Sequence, residues 1–254
     1  MPFESRFGRA ADAYEDFRPD YPPELFAGIL AAVAPERRNC AIDLGAGTGR
    51  LTAAIAEHFA EIIAVEPDPQ MALKLRGRVP RAAIQIAKAE ELERDPASVD
   101  LVTIAAAFHW MSADKVIAKA EAWLRPGGIL AICGGRFPKT PQPIREIVRA
   151  EFNEHWNQFR DTRLDTANSS VCARDQLPGS LCIVADRLIR NERPLAAAGF
   201  CGFCRSTSYG SAYAETIPDS AAYWRGLEQR FREAWPDETF PVDFSVWLLL
   251  AKKS

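Results

Sequence analysis

The chain is poor in the residues that most often carry metal and proton chemistry. Its 254 residues include three histidines, His58, His109 and His155. No carboxylate–histidine cluster shows ligand spacing, so no metal site is expected. Six cysteines are scattered at 40, 133, 172, 182, 201 and 204. Cys201-Gly202-Phe203-Cys204 has Cys-x-x-Cys spacing, but no second pair and no His-x-His partner accompanies it, so reduced thiols are expected. No apolar run approaches the roughly 20 residues that span a bilayer. The N-terminal Met1-Pro2-Phe3-Glu4-Ser5-Arg6 has no apolar signal core, and the expectation is a cytoplasmic protein with no membrane partner. A net charge of −3 leaves no basic face for nucleic-acid phosphates. Internal repeats and low-complexity tracts are absent as well.

What the chain does have is glycine at short intervals after an apolar run. Cys40 to Leu44 is apolar except for Asp43, and Gly45-Ala46-Gly47-Thr48-Gly49 follows at once. Such glycines allow backbone conformations closed to other residues and let a ligand approach the main chain. A helix is predicted from near Arg50, because Leu51 to Phe59 carries its apolar residues at helical spacing. The next apolar run, Ile62 to Val65, ends in Glu66. A strand ending in an acid roughly 20 residues after a glycine turn is a ribose-binding arrangement. Without a ligand, the glycines would make a plain strand-to-helix turn and Glu66 would be a solvated acid. The spacing is Gly-x-Gly-x-Gly, not the dinucleotide Gly-x-Gly-x-x-Gly, and Asp43 precedes the first glycine by two residues. A carboxylate there would repel a pyrophosphate and suit a cationic amino-acid ligand.

Ala83 to Ala87 is predicted as a short third strand running into Lys88-Ala89-Glu90. Val99 to Ile104 is a fourth, ending in Ala106-Ala107-Phe108-His109-Trp110. Ala122 to Gly128 makes a helix-end turn before a fifth, Ile129 to Cys133. In this order, Asp43 with its glycines, Glu66-Pro67-Asp68, Met71 and Ala89-Glu90 resemble the motifs of class I S-adenosylmethionine-dependent methyltransferases. Lys88 departs from that pattern, which often has Asp there. Upstream, Tyr14 and Arg18-Pro19-Asp20-Tyr21-Pro22 resemble the leading helix of the type 11 small-molecule branch, which includes trans-aconitate methyltransferase-like enzymes. The resemblance covers roughly the first half of the chain.

It implies an α/β fold: a Rossmann-like, seven-stranded, mostly parallel sheet with an antiparallel last strand, plus a helical cover segment. The length suits one domain, with leading helices over 1–39 and a cofactor-binding core over 40–136. A cover segment over 137–199 and C-terminal strands and helix over 200–254 complete it. Within the later part, Ile144 to Phe159 is predicted helical, and Leu181 to Arg190 helical or mixed. Ala196 to Phe200 looks like a helix C-terminus introducing a sixth strand over Cys204 to Tyr209. Ser220 to Trp235 is predicted as an amphipathic helix, and Val242 to Ala251 as the last, antiparallel strand.

The resemblance implies S-adenosyl-L-methionine as cofactor and a small molecule as methyl acceptor, with a carboxylate or hydroxyl oxygen favoured. The sulfonium activates the methyl, so the protein must mainly supply alignment. The implied cofactor loop is Gly45, Ala46, Gly47 and Thr48, with Asp43 behind it as an indirect holder. Glu66 would take the ribose hydroxyls, with Pro67 beside it, and Ala89 and Glu90 would lie by the adenine. Met71, Ala107 and Phe108 are apolar walls or simple core packing. Tyr14 and Arg18 share a helical face; Arg18 either grips the ligand carboxylate or pairs with Glu15 or Asp20. Tyr21, His109, Trp110 and Arg136 are assigned to the substrate pocket. His109 is a wall residue or a general base, and the wall is favoured. Arg163, Arg174, Arg205, Trp156 and Trp224 are weaker candidates, favoured as surface charge or core. Two rival functions remain: a protein of the same fold that binds S-adenosylmethionine without methylating, and a dinucleotide oxidoreductase, which Asp43 and the glycine spacing disfavour.

Overall fold

The computed structural model describes residues 15–161 and 173–254. Its strands are β1 (Cys40–Leu44), β2 (Glu61–Val65), β3 (Ala83–Gln85), β4 (Val99–Ala105), β5 (Leu124–Gly134), β6 (Leu181–Ile189), β7 (Glu192–Leu195), β8 (Phe240–Asp243) and β9 (Val246–Lys253). The helices are α1 (Pro23–Ala32), α2 (Arg50–Ala56), α3 (Pro69–Arg78), α4 (Ala113–Trp123), α5 (Gln142–Glu151), α6 (Ala197–Arg205), α7 (Ser208–Ala214) and α8 (Ser220–Ala234). Packing divides the chain into two compact units.

The first unit contains residues 20–136, 173–189 and 246–254 of the described chain. It holds a seven-stranded sheet in the order β3-β2-β1-β4-β5-β9-β6. β1 to β5 run parallel, and β9 is antiparallel to both its neighbours, β5 and β6. The expected α/β, Rossmann-like sheet with an antiparallel last strand is therefore what the chain forms. Its central strands are buried on both faces. Ile42, Leu44, Ile63, Val65, Val102 and Ile104 join one aliphatic cluster, while Ala41, Ile62, Ala64 and Leu101 join the other. That alternation is what a parallel sheet covered on both sides requires. At its amino end Asp100 is buried; it accepts from the Asn39 and Cys40 amides at 3.1 Å each, and the Arg125 guanidinium grips it at 2.8 and 2.9 Å.

The second unit contains residues 15–19, 137–161 and 190–245. Its core is aromatic, built from Trp156, Phe200, Phe203, Trp224, Phe231, Phe240 and Phe244. β7 and β8 form a separate antiparallel ribbon, Glu192 opposite Asp243. The buried Glu151 accepts from Tyr223 Oη at 2.5 Å and pairs with Arg230, and Trp156 Nε1 donates to the same Tyr223 oxygen at 2.9 Å. Asp219 caps α8 through the Ala222 amide at 2.8 Å, and the helix predicted over Ser220 to Trp235 forms as Ser220–Ala234.

Three expectations for the later chain are corrected. Leu181 to Arg190 is an edge strand, not helical: β6 carries a register shift between Ile183 and Ala185 that breaks the two-residue alternation by which strands are recognised. Cys204 to Tyr209 is not a sixth strand but the junction of α6 and α7, and Ala196 to Phe200 begins α6 instead of ending a helix. Gly202 sits inside α6 because Phe17 packs on it; a Cβ there would lie 2.1 Å from that ring. The last strand is interrupted after β8, where Asp243 Oδ1 accepts from the Ser245 amide at 2.8 Å and turns the chain. The strand after the interruption, β9, enters the sheet.

Candidate functional site

The site candidates gather at the carboxyl ends of β1 to β4, where open α/β sheets bind ligands. After Leu44 the backbone turns left-handed three times, at Gly45 (φ 67°), Gly47 (φ 58°) and Gly49 (φ 84°). The Gly45 and Ala46 amides donate to Val65 O at 2.9 and 3.0 Å, which ties the loop to β2. Two of these glycines are also close-packed: a Cβ on Gly45 would lie 2.5 Å from that of Ala107, and one on Gly49 would lie 2.4 Å from Leu75. Gly47 differs, since a Cβ there would meet nothing within 4 Å. The middle of the loop therefore faces open space, and its edges are clamped. Thr48 is buried, with Arg78 donating to its carbonyl and hydroxyl at 3.2 Å each.

Glu66 reaches back over the loop. Its Oε2 accepts from the Gly47 amide at 2.8 Å and its Oε1 from the Asp68 amide at 2.9 Å. A carboxylate offers about four acceptor positions, so each oxygen retains capacity after these bonds. Glu66 is 7% exposed, and burial pushes its pKa up to about 7, against the two amide bonds that lower it. Pro67 follows, half-buried, and Asp68 caps α3 through the Gln70 and Met71 amides at 2.8 and 3.0 Å, which fixes the buried Met71 in the first turn.

Asp43 is fully buried. Oδ2 accepts from Thr52 Oγ1 at 2.6 Å and Oδ1 from Thr103 Oγ1 at 2.8 Å. Burial raises its pKa to about 6, with the threonine bonds opposing. With no exposed surface, it bears on its surroundings only through the elements that it joins. Thr52 and Thr103 were not singled out from the sequence; the available signal is Thr103, a polar residue inside the apolar strand β4 and in register with Asp43.

The turn after β3 places the buried Ala89 and the half-buried Glu90 in a short 3₁₀ segment. Glu90 Oε1 accepts from the Ser112 amide at 2.6 Å. β4 is followed by Ala106, which has a left-handed φ of 51°. Ala107 and Phe108 are buried, and His109 and Trp110 are half-buried with ring centroids 4.4 Å apart. Nothing in the sequence marks Ala106, because alanine does not encode that conformation.

Among the other candidates, Tyr21 meets Phe26 edge-on at 6.3 Å and packs on the aliphatic cluster of the sheet unit. Arg136 is exposed just past β5. Arg18 belongs to the second unit, where Nε donates to Ser206 Oγ at 3.0 Å and the guanidinium lies 4.8 Å from the Phe203 ring centre. Asp20, offered above as its partner, pairs with Arg50 at 2.8 Å. Trp156 and Trp224 are core residues, and Arg174 pairs with Asp186. Tyr14 and Arg163 lie outside the described residues. Among the described residues no group of three metal-ligating side chains is found, and no helix is long and apolar enough to cross a membrane.

A glycine loop at the first strand, an acid after the second and a sheet ordered β3-β2-β1-β4-β5-β9-β6 with one antiparallel strand define a Rossmann-like fold. Residues 42–132 match the family model described as "Methyltransferase domain". An uncharacterised methyltransferase of Mycobacterium tuberculosis is 43% identical over 126 residues, 50% of each chain. A trans-aconitate 2-methyltransferase of Methylobacterium radiotolerans is 37% identical over 130 residues, 49% of this chain and 48% of that one. The chain spans about half the length of the curated relatives it matches. Among solved structures, a protein of Anaeromyxobacter dehalogenans, provisionally a type II methyltransferase, superposes with a TM-score of 0.71 at 24% identity, covering 93% of this chain and 97% of that one. Over residues 42–132 the chain is similar to the methyltransferase domain family.

Proposed function

We propose that the protein is a cytoplasmic S-adenosylmethionine-dependent methyltransferase acting on a small acidic molecule, at a carboxylate or hydroxyl oxygen. The observation that carries this reading is the pairing of Gly47 with Glu66: an open stretch of backbone beside a buried carboxylate that has acceptor capacity to spare. These residues fit the cofactor. Glu66 would accept from its two ribose hydroxyls, and the Gly45–Thr48 backbone would run along its amino-acid part. Met71, Ala89 and Phe108 would flank the adenine. Asp43 would act indirectly, by fixing the loop between Thr52 and Thr103.

When bound, the cofactor supplies a methyl group already activated on a sulfonium. The chain's own contribution is to orient the acceptor and exclude water, and alignment of this kind lowers barriers by several kcal/mol. His109 and Trp110, with Tyr21 and Arg136, would shape the acceptor pocket, His109 as a wall residue. An acidic acceptor is supported by the relative named for trans-aconitate. The net charge of −3 argues against a nucleic-acid substrate.

Calorimetry with S-adenosylhomocysteine and NAD, followed by incubation with methyl-labelled S-adenosylmethionine and a library of small carboxylic acids, tests the proposal. Binding of S-adenosylhomocysteine alone and label transfer to an acid are expected. Binding without any transfer would leave a non-methylating role, and preference for NAD would overturn the reading.

A further inference from the structure

The turn that follows β4 is held in a conformation its own sequence does not favour. Ala106 has φ 51°; an L-residue gains a clash there that glycine avoids, and alanine has no side-chain polar group to compensate. Such strain persists only where the surroundings over-determine it. Three ties do so here. The Ala106 amide donates to Cys133 O at 2.7 Å, at the end of β5. Ala107 and Met111 occupy the space over Gly45 that a side chain would fill. At the far end of the turn, Glu90 Oε1 takes the Ser112 amide at 2.6 Å.

The third tie is the unusual one. Ser112 precedes α4, and its own side chain makes no cap bond. The acceptor comes from the turn after β3, where a carboxylate near a helix N-terminus also gains from the exposed amides. Glu90 is itself set by the 3₁₀ turn Ala89–Glu91, closed by Glu91 Oε2 accepting from the Lys88 amide at 3.2 Å. From Glu90 through Ser112, the clasp therefore bears on the segment holding His109 and Trp110.

We infer that Glu90 is a positioning residue: its clasp on Ser112 holds Ala106 in the left-handed conformation and so fixes the His109–Trp110 turn beside the glycine loop. This rests on the methyltransferase reading for its effect on turnover, though not for the clasp itself. The strain and the clasp oppose each other, and that makes them separable. Removing the clasp lets Ala106 relax; replacing Ala106 by glycine removes the strain the clasp must resist.

The test uses the full chain as parent, Glu90→Ala, Ala106→Gly and the double variant, with Ala97→Gly as control because Ala97 has the same φ of 51° in an exposed turn elsewhere. Hydrogen exchange of the unliganded protein is followed over 106–112, together with turnover and S-adenosylhomocysteine affinity. Glu90→Ala should speed exchange in that segment by about five- to thirtyfold, the population weight of a left-handed alanine against its relaxed form, and lower kcat. Adding Ala106→Gly should bring exchange to within about twofold of the parent and recover kcat, because glycine adopts this φ freely. Ala97→Gly should change neither. Unchanged exchange in Glu90→Ala overturns the inference, as does a double variant no better than Glu90→Ala, which would mean that Glu90 acts by touching the ligand. If the parent fails to bind S-adenosylhomocysteine, the functional reading falls while the exchange data still judge the clasp.

Discussion

The two ends of the sheet bury carboxylates in opposite ways. At the amino end, Asp100 meets a guanidinium and two backbone amides. At the carboxyl end, Asp43 and Glu66 are held by hydroxyls and amides alone, and among the described residues no cation pairs with either. The electrostatic result follows the partners. Burial outweighs the hydrogen bonds at the carboxyl end and lifts both acids, Asp43 to about 6 and Glu66 to about 7. Asp100 is a closed arrangement that serves the fold. Asp43 and Glu66 have no such cation among the described residues, and Glu66 keeps acceptor capacity beside the open backbone at Gly47. A paired buried charge is what stability tolerates, and an unpaired one points to a site.

The largest effect should come from breaking the closed end. Arg125→Met leaves the Asp100 carboxylate without its cation and should cost about 3–5 kcal/mol of stability, read from urea unfolding, while the folded variant binds S-adenosylhomocysteine as the parent does. A variant that unfolds like the parent would dissolve the contrast between the two ends.

At the open end, Gly47→Val should abolish S-adenosylhomocysteine binding in calorimetry, because the branched side chain would fill the space before the loop at a φ it resists. Parent-like affinity would place the ligand elsewhere. Glu66→Ala should weaken the same binding by about 1–3 kcal/mol, the cost of losing a charged acceptor.

Acidity sharpens the comparison because its two consequences have opposite signs. Glu66 moves from 4.5 to about 7 and Asp43 from 3.8 to about 6 on folding. For acids raised in this way, the folded state binds the extra proton. Their contribution to stability is complete below pH about 4 and is lost as pH rises through 6 to 7. The ligand's hydroxyls need the ionised Glu66, so affinity should fall as pH drops below about 7. Thermal melts and calorimetry between pH 5 and 8 should therefore move in opposite directions, and Glu66→Gln should flatten the affinity profile while leaving the Asp43 part of the stability trend. Parallel trends would break the assignment of Glu66.

The smallest expected effect concerns His109. As a wall residue it should tolerate His109→Gln with kcat within about tenfold, or roughly 1.4 kcal/mol, whereas Trp110→Ala should raise KM. A thousandfold loss of turnover together with a vanished acidic limb in the pH profile would make His109 a base and favour a hydroxyl acceptor.

Much of the sheet was legible in the residues themselves. Cys40–Leu44, Ile62–Val65 and Val99–Ile104 are apolar runs of strand length, and the glycines after Leu44 announce a backbone that only they adopt easily. These signals are local, so one stretch of chain suffices to carry them. Glu66 was found in the same way, by its distance from the glycine turn. The second unit was read less well. Ala196 to Phe200, with Gly199, suggested a helix end, yet α6 runs on through it, and the Phe17 ring packs on the bare backbone at Gly202. In the first unit, β6 was hidden by its register shift, and the break between β8 and β9 by one aspartate turning the chain.

The sequence by itself determined the parallel strands, the left-handed glycine loop and the acid that follows, since each depends on residue type at short spacing. Only the tertiary structure decided that Thr52 and Thr103 hold Asp43, that Glu90 reaches Ser112, and that Ala106 takes a glycine's conformation. Each of these depends on partners distant in the chain, and the free energy that fixes them is released only when the fold brings those partners within hydrogen-bonding or van der Waals reach.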